Sequence, residues 1–186
     1  LLNADDQHAG VWAERAGHRR TIFFACERSE STDYYAADIQ LENEGRVSFK
    51  MVSPVGEQDI SMQLLGKHNV TNALAAAGAA IEAGASLHDV AAGLAELQPI
   101  QGRLLPLQGL NGCRLIDDSY NASPSSFFAA IDVLMSFTGK KYVLAGDMKE
   151  LGSDSDAAHK AVGAYAAKAG VDELWAVGEQ SRLTVE

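Results

Sequence analysis

The stretch RLIDDSYNASPSS, residues 114–126, decides how the second half of the chain is read. It opens as an apolar strand, ends that strand on the adjacent acids Asp117 and Asp118, and passes through small polar residues to Ser123 and Pro124. Ser is a favoured N-cap and Pro fits a first helical turn, so the pattern predicts strand, loop and helix in that order. Adjacent carboxylates where a strand emerges are costly if buried and unpaired. They become useful beside something electropositive or rich in hydroxyls. The same spacing also fits two acids that cap a loop and face water, since acids at strand ends are common.

Downstream the rhythm continues. CRLI predicts a strand, Pro124 to about Phe137 a helix with Phe127, Ile131, Leu134 and Met135 on one face, and KYVLA (141–145) a second strand. Asp154 to Ala169 predicts a further helix and ELWAV (173–177) a third strand. Strands alternating with helices predict parallel βαβ units with right-handed connections. Ligands gather at the carboxyl ends of strands in such sheets. Three such ends are visible: Asp117-Asp118-Ser119, Gly146-Asp147-Met148 and Gly178-Glu179.

The first third is β-rich by contrast. TIFFA (21–25) is a short apolar strand, and ADIQLE, VSFKMVS and DISMQLL alternate apolar with polar residues. Turns fall at Asn43-Glu44-Gly45-Arg46 and Pro54-Val55-Gly56-Glu57. Period-two alternation between such turns predicts an antiparallel meander with one wet face. From Asn69 to Ala83 the chain is nearly all strong helix formers, apolar on almost every side, which predicts a buried helix stopped by Gly84. Ser86 with Asp89 resembles a capping box opening a second helix to about Leu97. QPIQGR, with Pro99 and Gly102, breaks the pattern and is the expected linker, giving domains 1–101 and 102–186.

Composition bounds the function. Of 186 residues, 47% are hydrophobic and 22% charged, enough for a sizeable core. The formal net charge of -10 argues against a nucleic-acid or anionic-membrane binder, which needs a basic face. No apolar run approaches the ~20 residues of a membrane span. Cys26 and Cys113 have neither metal-ligand spacing nor disulfide density, and are expected as buried thiols in a reducing cytosol. The opening LLNADDQHAG has no Met and no signal-peptide pattern, and the chain is expected to be a piece of something longer.

A second polar constellation is GKHNVTNALAA (66–76). Asn69 and Asn72 share a helix face, and two carboxamides there could match the edge of a purine or orient a neighbouring loop. Asn69 as a plain helix cap, with Asn72 a polar leftover, fits equally. His68 has no second ligand at helical spacing and suits a solvated or capping role rather than a metal. Arg103, just past the linker, suits either a phosphate contact or a surface ion pair. GDMKELG (146–152) alone is compatible with an ordinary loop.

Taken in order, GKHNVTNALAA, then GR, then DDSYNASP, then GDMKELG, the set closely resembles the Mur ligase family. The resemblance implies an α/β chain: the back half of a central ATPase-like domain of antiparallel strands and helices, then a partial Rossmann-like βαβαβ domain. It implies that His68, Asn69 and Asn72 line an adenine pocket and that Arg103 reaches the nucleotide phosphates. Asp118 would sit beside the ribose, and Ser119, Tyr120 and Asn121 would face the reacting groups. Ser123 stands where the family usually has Asn; both are favoured N-caps, so the loop should survive the change. The implied chemistry is ATP- and Mg²⁺-dependent formation of an acyl phosphate, followed by attack of an amine. The DDSYN form implies D-alanyl-D-alanine and UDP-N-acetylmuramoyl-tripeptide as substrates in the cytoplasm, whereas a folylpolyglutamate synthase type would carry a DGAHNP-like loop. No phosphate loop of the G-x-x-x-x-G-K-[ST] kind occurs here, and the family's metal-binding residues are expected upstream, so this piece is expected to be inactive alone. The competing reading is a non-catalytic module that kept the nucleotide-facing surface.

Overall fold

A computed structural model describes residues 1–41 and 45–186, and the expected turn at Asn43-Glu44 lies outside the described residues. The chain forms two compact units, one ending at Gln98 and the other running Pro99–Glu186.

In the first unit a five-stranded sheet has the order β1 (Leu2–Asn3), β2 (Phe23–Ala25), β3 (Tyr34–Leu41), β4 (Arg46–Ser53) and β5 (Gly56–Leu65). The expected meander holds for β3, β4 and β5, which pair antiparallel in order, β4 and β5 across a tight turn at Pro54-Val55. It fails for β2, which pairs parallel with both β1 and β3. A short strand of Phe and Ala is apolar on both faces and carries no alternation to set its direction, as in buried parallel strands. The alternating residues behave as their period requires: Val47, Phe49, Met51, Ile60 and Met62 are buried, and Ser48, Lys50 and Asp59 face outward.

Three helices belong to this unit: α1 (Ala9–Ala16), α2 (His68–Glu82) and α3 (Leu87–Glu96). The expectation that α2 is buried all round is corrected. Val70, Ala73, Leu74, Ala77 and Gly78 form its buried side, while Asn72, Ala76 and Ala79 are exposed. Alanine is helix-favouring but small, and leaving its methyl in water costs little. The Ser86–Asp89 capping box at the start of α3 is present in full, and Val90 and Leu94 join the core. Tyr34 is fully buried and donates its hydroxyl to Glu82, which Arg20 also engages at 2.8 Å.

The second unit holds β6 (Leu105–Gln108), β7 (Arg114–Asp117), α4 (Pro124–Met135), β8 (Tyr142–Gly146), α5 (Ser155–Ala169) and β9 (Glu173–Val177). The α/β alternation is there, with one change of partner. β8 and β9 pair parallel as expected, but β7 pairs antiparallel with β6, a strand hidden in the sequence by Pro106. Ile131, Met148, Val162 and Ala166 centre the core. Phe128 stacks on Tyr165 at 4.4 Å, and the Tyr165 hydroxyl donates to Asp132, tying α4 to α5. Ser123 caps α4 as expected, completed by Ser126. Neither cysteine is buried as expected: Cys26 is half-buried against the Thr71 hydroxyl, and Cys113, in the β6–β7 connection, is exposed. That connection is a surface loop, where a thiol costs nothing to leave in water.

Candidate functional site

The acids at the end of β7 are neither orphaned nor idle. Asp117 accepts the N–H of Gly102 at 3.2 Å and that of Ser119 at 3.1 Å, and Asp118 accepts the N–H of Leu104 at 3.1 Å. Tyr120 completes the clamp by donating its N–H to the Gly102 carbonyl. The Ser119 hydroxyl, followed by the N–H groups of Ser119 and Gly102, holds the Asp117 carboxyl below its usual range. Hydrogen bonds to the charged form favour ionisation even against partial burial.

Arg103 lies between the two residues so pinned. Its backbone N–H reaches Ile100, and its guanidinium carbon stands 4.5 Å from the centre of the Tyr120 ring. Gly102 makes the arrangement feasible: its φ is +75°, and a Cβ there would meet the Tyr120 N and Cβ at 3.0 Å. Leu104 turns the chain again at φ 48° while burying its side chain. Ser119, Tyr120 and Asn121 are all exposed in the loop between β7 and α4. The loop presents hydroxyl, phenol and carboxamide groups beside the Arg103 guanidinium. Such a surface can take an anionic, hydroxyl-rich ligand.

In the first unit His68, Asn69 and Asn72 come together at the start of α2. Asn72 donates its amide to the Asn69 side-chain oxygen at 3.1 Å, and Asn69 donates to the Leu65 carbonyl at 2.8 Å. The Asn69 amide also lies 3.3 Å from His68 Nε2. This relay fixes both carboxamides, with Asn69 half-buried and Asn72 exposed. The alternative that Asn69 caps the helix through its side chain does not hold: Lys67 occupies the cap and no side-chain cap bond forms.

The other strand ends serve the fold. Asp147, after β8, accepts the N–H groups of Glu179, Gln180 and Ser181 and so fixes the turn after β9. The Ser181 N–H leads those that hold its carboxyl below the ordinary range. Gly178 is needed there, since a Cβ would collide with the Asp147 carboxylate. His159 of α5 is fully buried; its Nε2 accepts the Met148 N–H and its Nδ1 donates to the Ser155 carbonyl, which sets the neutral tautomer. Sequence reasoning missed His159 as the residue that anchors the GDMKELG loop. The signal was its spacing, three and seven residues before the buried Val162 and Ala166. Among the described residues no group of three or more His, Cys, Asp or Glu side chains gathers to hold a metal, and no helix is long and apolar enough to cross a membrane.

Comparison with known proteins adds independent findings. Residues 1–80 match the Mur ligase middle domain and residues 102–185 match the Mur ligase, glutamate ligase domain. The chain is 39% identical over 97% of its length to UDP-N-acetylmuramoyl-tripeptide--D-alanyl-D-alanine ligase of Escherichia coli K12, and spans 40% of that relative. The crystal structure of MurF from Acinetobacter baumannii superposes with a TM-score of 0.91 at 33% identity, over 99% of this chain and 39% of that one. MurF ligase from Thermotoga maritima, solved in complex with ADP, has the same fold with a TM-score of 0.79 at 24% identity, over 94% of this chain and 40% of that one. With the DDSYN clamp and the paired carboxamides in hand, and with both halves matched in order, the chain belongs to the Mur ligase family.

Proposed function

We propose that this chain is part of an ATP-dependent ligase that joins D-alanyl-D-alanine to UDP-N-acetylmuramoyl-tripeptide in peptidoglycan precursor synthesis. The observation that carries the reading is the 39% identity, over 97% of the chain, to a curated ligase of that name. We assign residues 1–101 to the central nucleotide-binding domain and 102–186 to the C-terminal ligase domain. Asn69 and Asn72, with His68, would meet the adenine; Asp118 would meet the ribose, and Ser119, Tyr120 and Asn121 the reacting groups. Arg103 would meet the nucleotide phosphates.

The chemistry follows from a carboxylate being a poor acyl donor until one oxygen becomes part of a phosphate. The terminal carboxylate of the tripeptide is converted to an acyl phosphate at the expense of ATP. The dipeptide amine then adds to that carbonyl, and phosphate leaves from the tetrahedral intermediate. Mg²⁺ supplies charge neutralisation for the phosphates. The part of these residues is positioning and charge: the Arg103 guanidinium lies over the Tyr120 ring, and the two carboxamides are hydrogen-bonded to each other. We assign the reaction to the cytoplasm, the compartment that the ligase reading implies.

The test is ADP release by the full-length protein that contains this chain, supplied with MgATP, the UDP-linked tripeptide and D-alanyl-D-alanine. Turnover that requires all three supports the reading. Turnover without the dipeptide, or with another amine only, overturns it.

A further inference from the structure

Tyr120 is 70% exposed. An aromatic ring left in water on a loop that otherwise uses small polar residues calls for a reason. Its backbone explains part: the N–H donates to the Gly102 carbonyl at 3.1 Å. The ring is not needed for that bond, which any residue but proline could make. What the ring meets is Arg103, whose guanidinium carbon lies 4.5 Å from its centroid. The backbone on either side of Arg103 is tied to the same loop, at Gly102 by Asp117 and at Leu104 by Asp118.

We propose that Tyr120 is a positioning residue for Arg103: its ring is the platform on which the guanidinium is held ready for a nucleotide phosphate. The inference rests on the ligase reading for the identity of the anion. The physics is that of a long cation with many rotamers. Left alone, an exposed arginine samples most of them, and binding a phosphate would freeze that freedom at the moment of capture. A ring face removes part of this cost beforehand, through attraction between the guanidinium and the π quadrupole, without consuming the in-plane N–H donors that a phosphate needs. A carboxylate partner would orient the arginine too, but would compete with the phosphate for those donors.

Toward the nucleotide phosphates Tyr120 therefore acts through Arg103, and by its ring rather than its phenol oxygen. In the full-length protein, Tyr120→Leu should raise KM for ATP about fivefold, whereas Tyr120→Phe, which keeps the ring and loses only the phenol oxygen, should hold KM for ATP within about twofold of the parent whatever its kcat. In an Arg103→Ala background, Tyr120→Leu should add nothing further. A second readout needs no turnover: the Arg103 Nε–H proton should resonate upfield in the parent and in Tyr120→Phe, under the ring, and return to the ordinary arginine position in Tyr120→Leu. Equal KM for the Leu and Phe variants overturns the proposal. So does a full effect of Tyr120→Leu without Arg103, or an Arg103 proton shift indifferent to the ring. A parent protein without ligase turnover would remove the ligase reading alone, because the Arg103 resonance is measured apart from it.

Discussion

Gly102 carries two demands that no other residue meets together. Its φ of +75° excludes comfortable L side chains, and the Tyr120 backbone leaves a Cβ only 3.0 Å of room. Gly102→Ala should lower stability by about 1–2 kcal/mol from the left-handed backbone alone, and further from the contact, measurable as a fall in urea midpoint. Asp118 differs in kind. It accepts the Leu104 N–H, so Asp118→Ala releases one end of the Arg103 segment at the buried Leu104. In the full-length protein turnover should fall about a hundredfold, as expected when a charged group drifts by an ångström, while stability falls only by about 1 kcal/mol, the cost of one hydrogen bond. Unchanged turnover would remove Asp118 from the site. The acids were conspicuous in the sequence, but their partners were not. Spacing shows a carboxylate, and only the folded backbone shows that its acceptors are met by N–H groups fifteen and fourteen residues away.

Helices were more legible than strand pairings. Ser86 and Ser123 were visible as caps because capping is a local contest between a side chain and the backbone N–H groups it can reach within one turn. Ser123→Ala, which leaves the Ser126 N–H of α4 without its acceptor, should cost about 1 kcal/mol, seen as a lower thermal midpoint of the second unit. The strands show where local signals end. β7 was visible as a strand, yet its neighbour depends on β6, where Pro106 hides a pairing that survives on a two-stranded edge. β2 was visible as well, and its parallel direction was not, since three apolar residues look alike from either end. The GDMKELG loop was found by family likeness, and its anchor His159 only in the fold, because nothing near residue 148 in the sequence points eleven residues on.

Across the whole chain, shifted groups act at both ends of the pH scale. Burial, then the hydrogen bond to Glu82, pushes Tyr34 in the first unit up to about 12 from the ordinary phenol value of 10.0. A raised phenol stabilises the fold while it keeps its proton. The contribution is complete below pH 10 and disappears as pH rises from 10 toward 12, where the folded state must give up a proton it holds more tightly than the unfolded chain does. Tyr34→Phe should reduce the alkaline slope in denaturant titrations, leaving the part due to Tyr165, which its hydrogen bond to Asp132 also raises. In the second unit Asp117 and Asp147 lie below the ordinary carboxylate value of 3.8. Their contribution is present above 3.8 and disappears as pH falls through their lower folded values, so acid should loosen the second unit as these two clamps are protonated. Circular dichroism of the Asp147→Asn variant should show the acid slope reduced.

The chain has two tryptophans, and the units share them evenly. Trp12 lies on α1 with the Arg15 guanidinium 5.4 Å from its ring, and Trp175 on β9 stacks against Tyr142 at 5.5 Å. Each half-exposed indole thus sits in surroundings of its own, one beside a cation and one beside a phenol. Replacing either by phenylalanine leaves a single tryptophan whose emission, excited where tyrosine does not absorb, reports on one half alone. The order in which the halves melt can then be followed by light, with no label added.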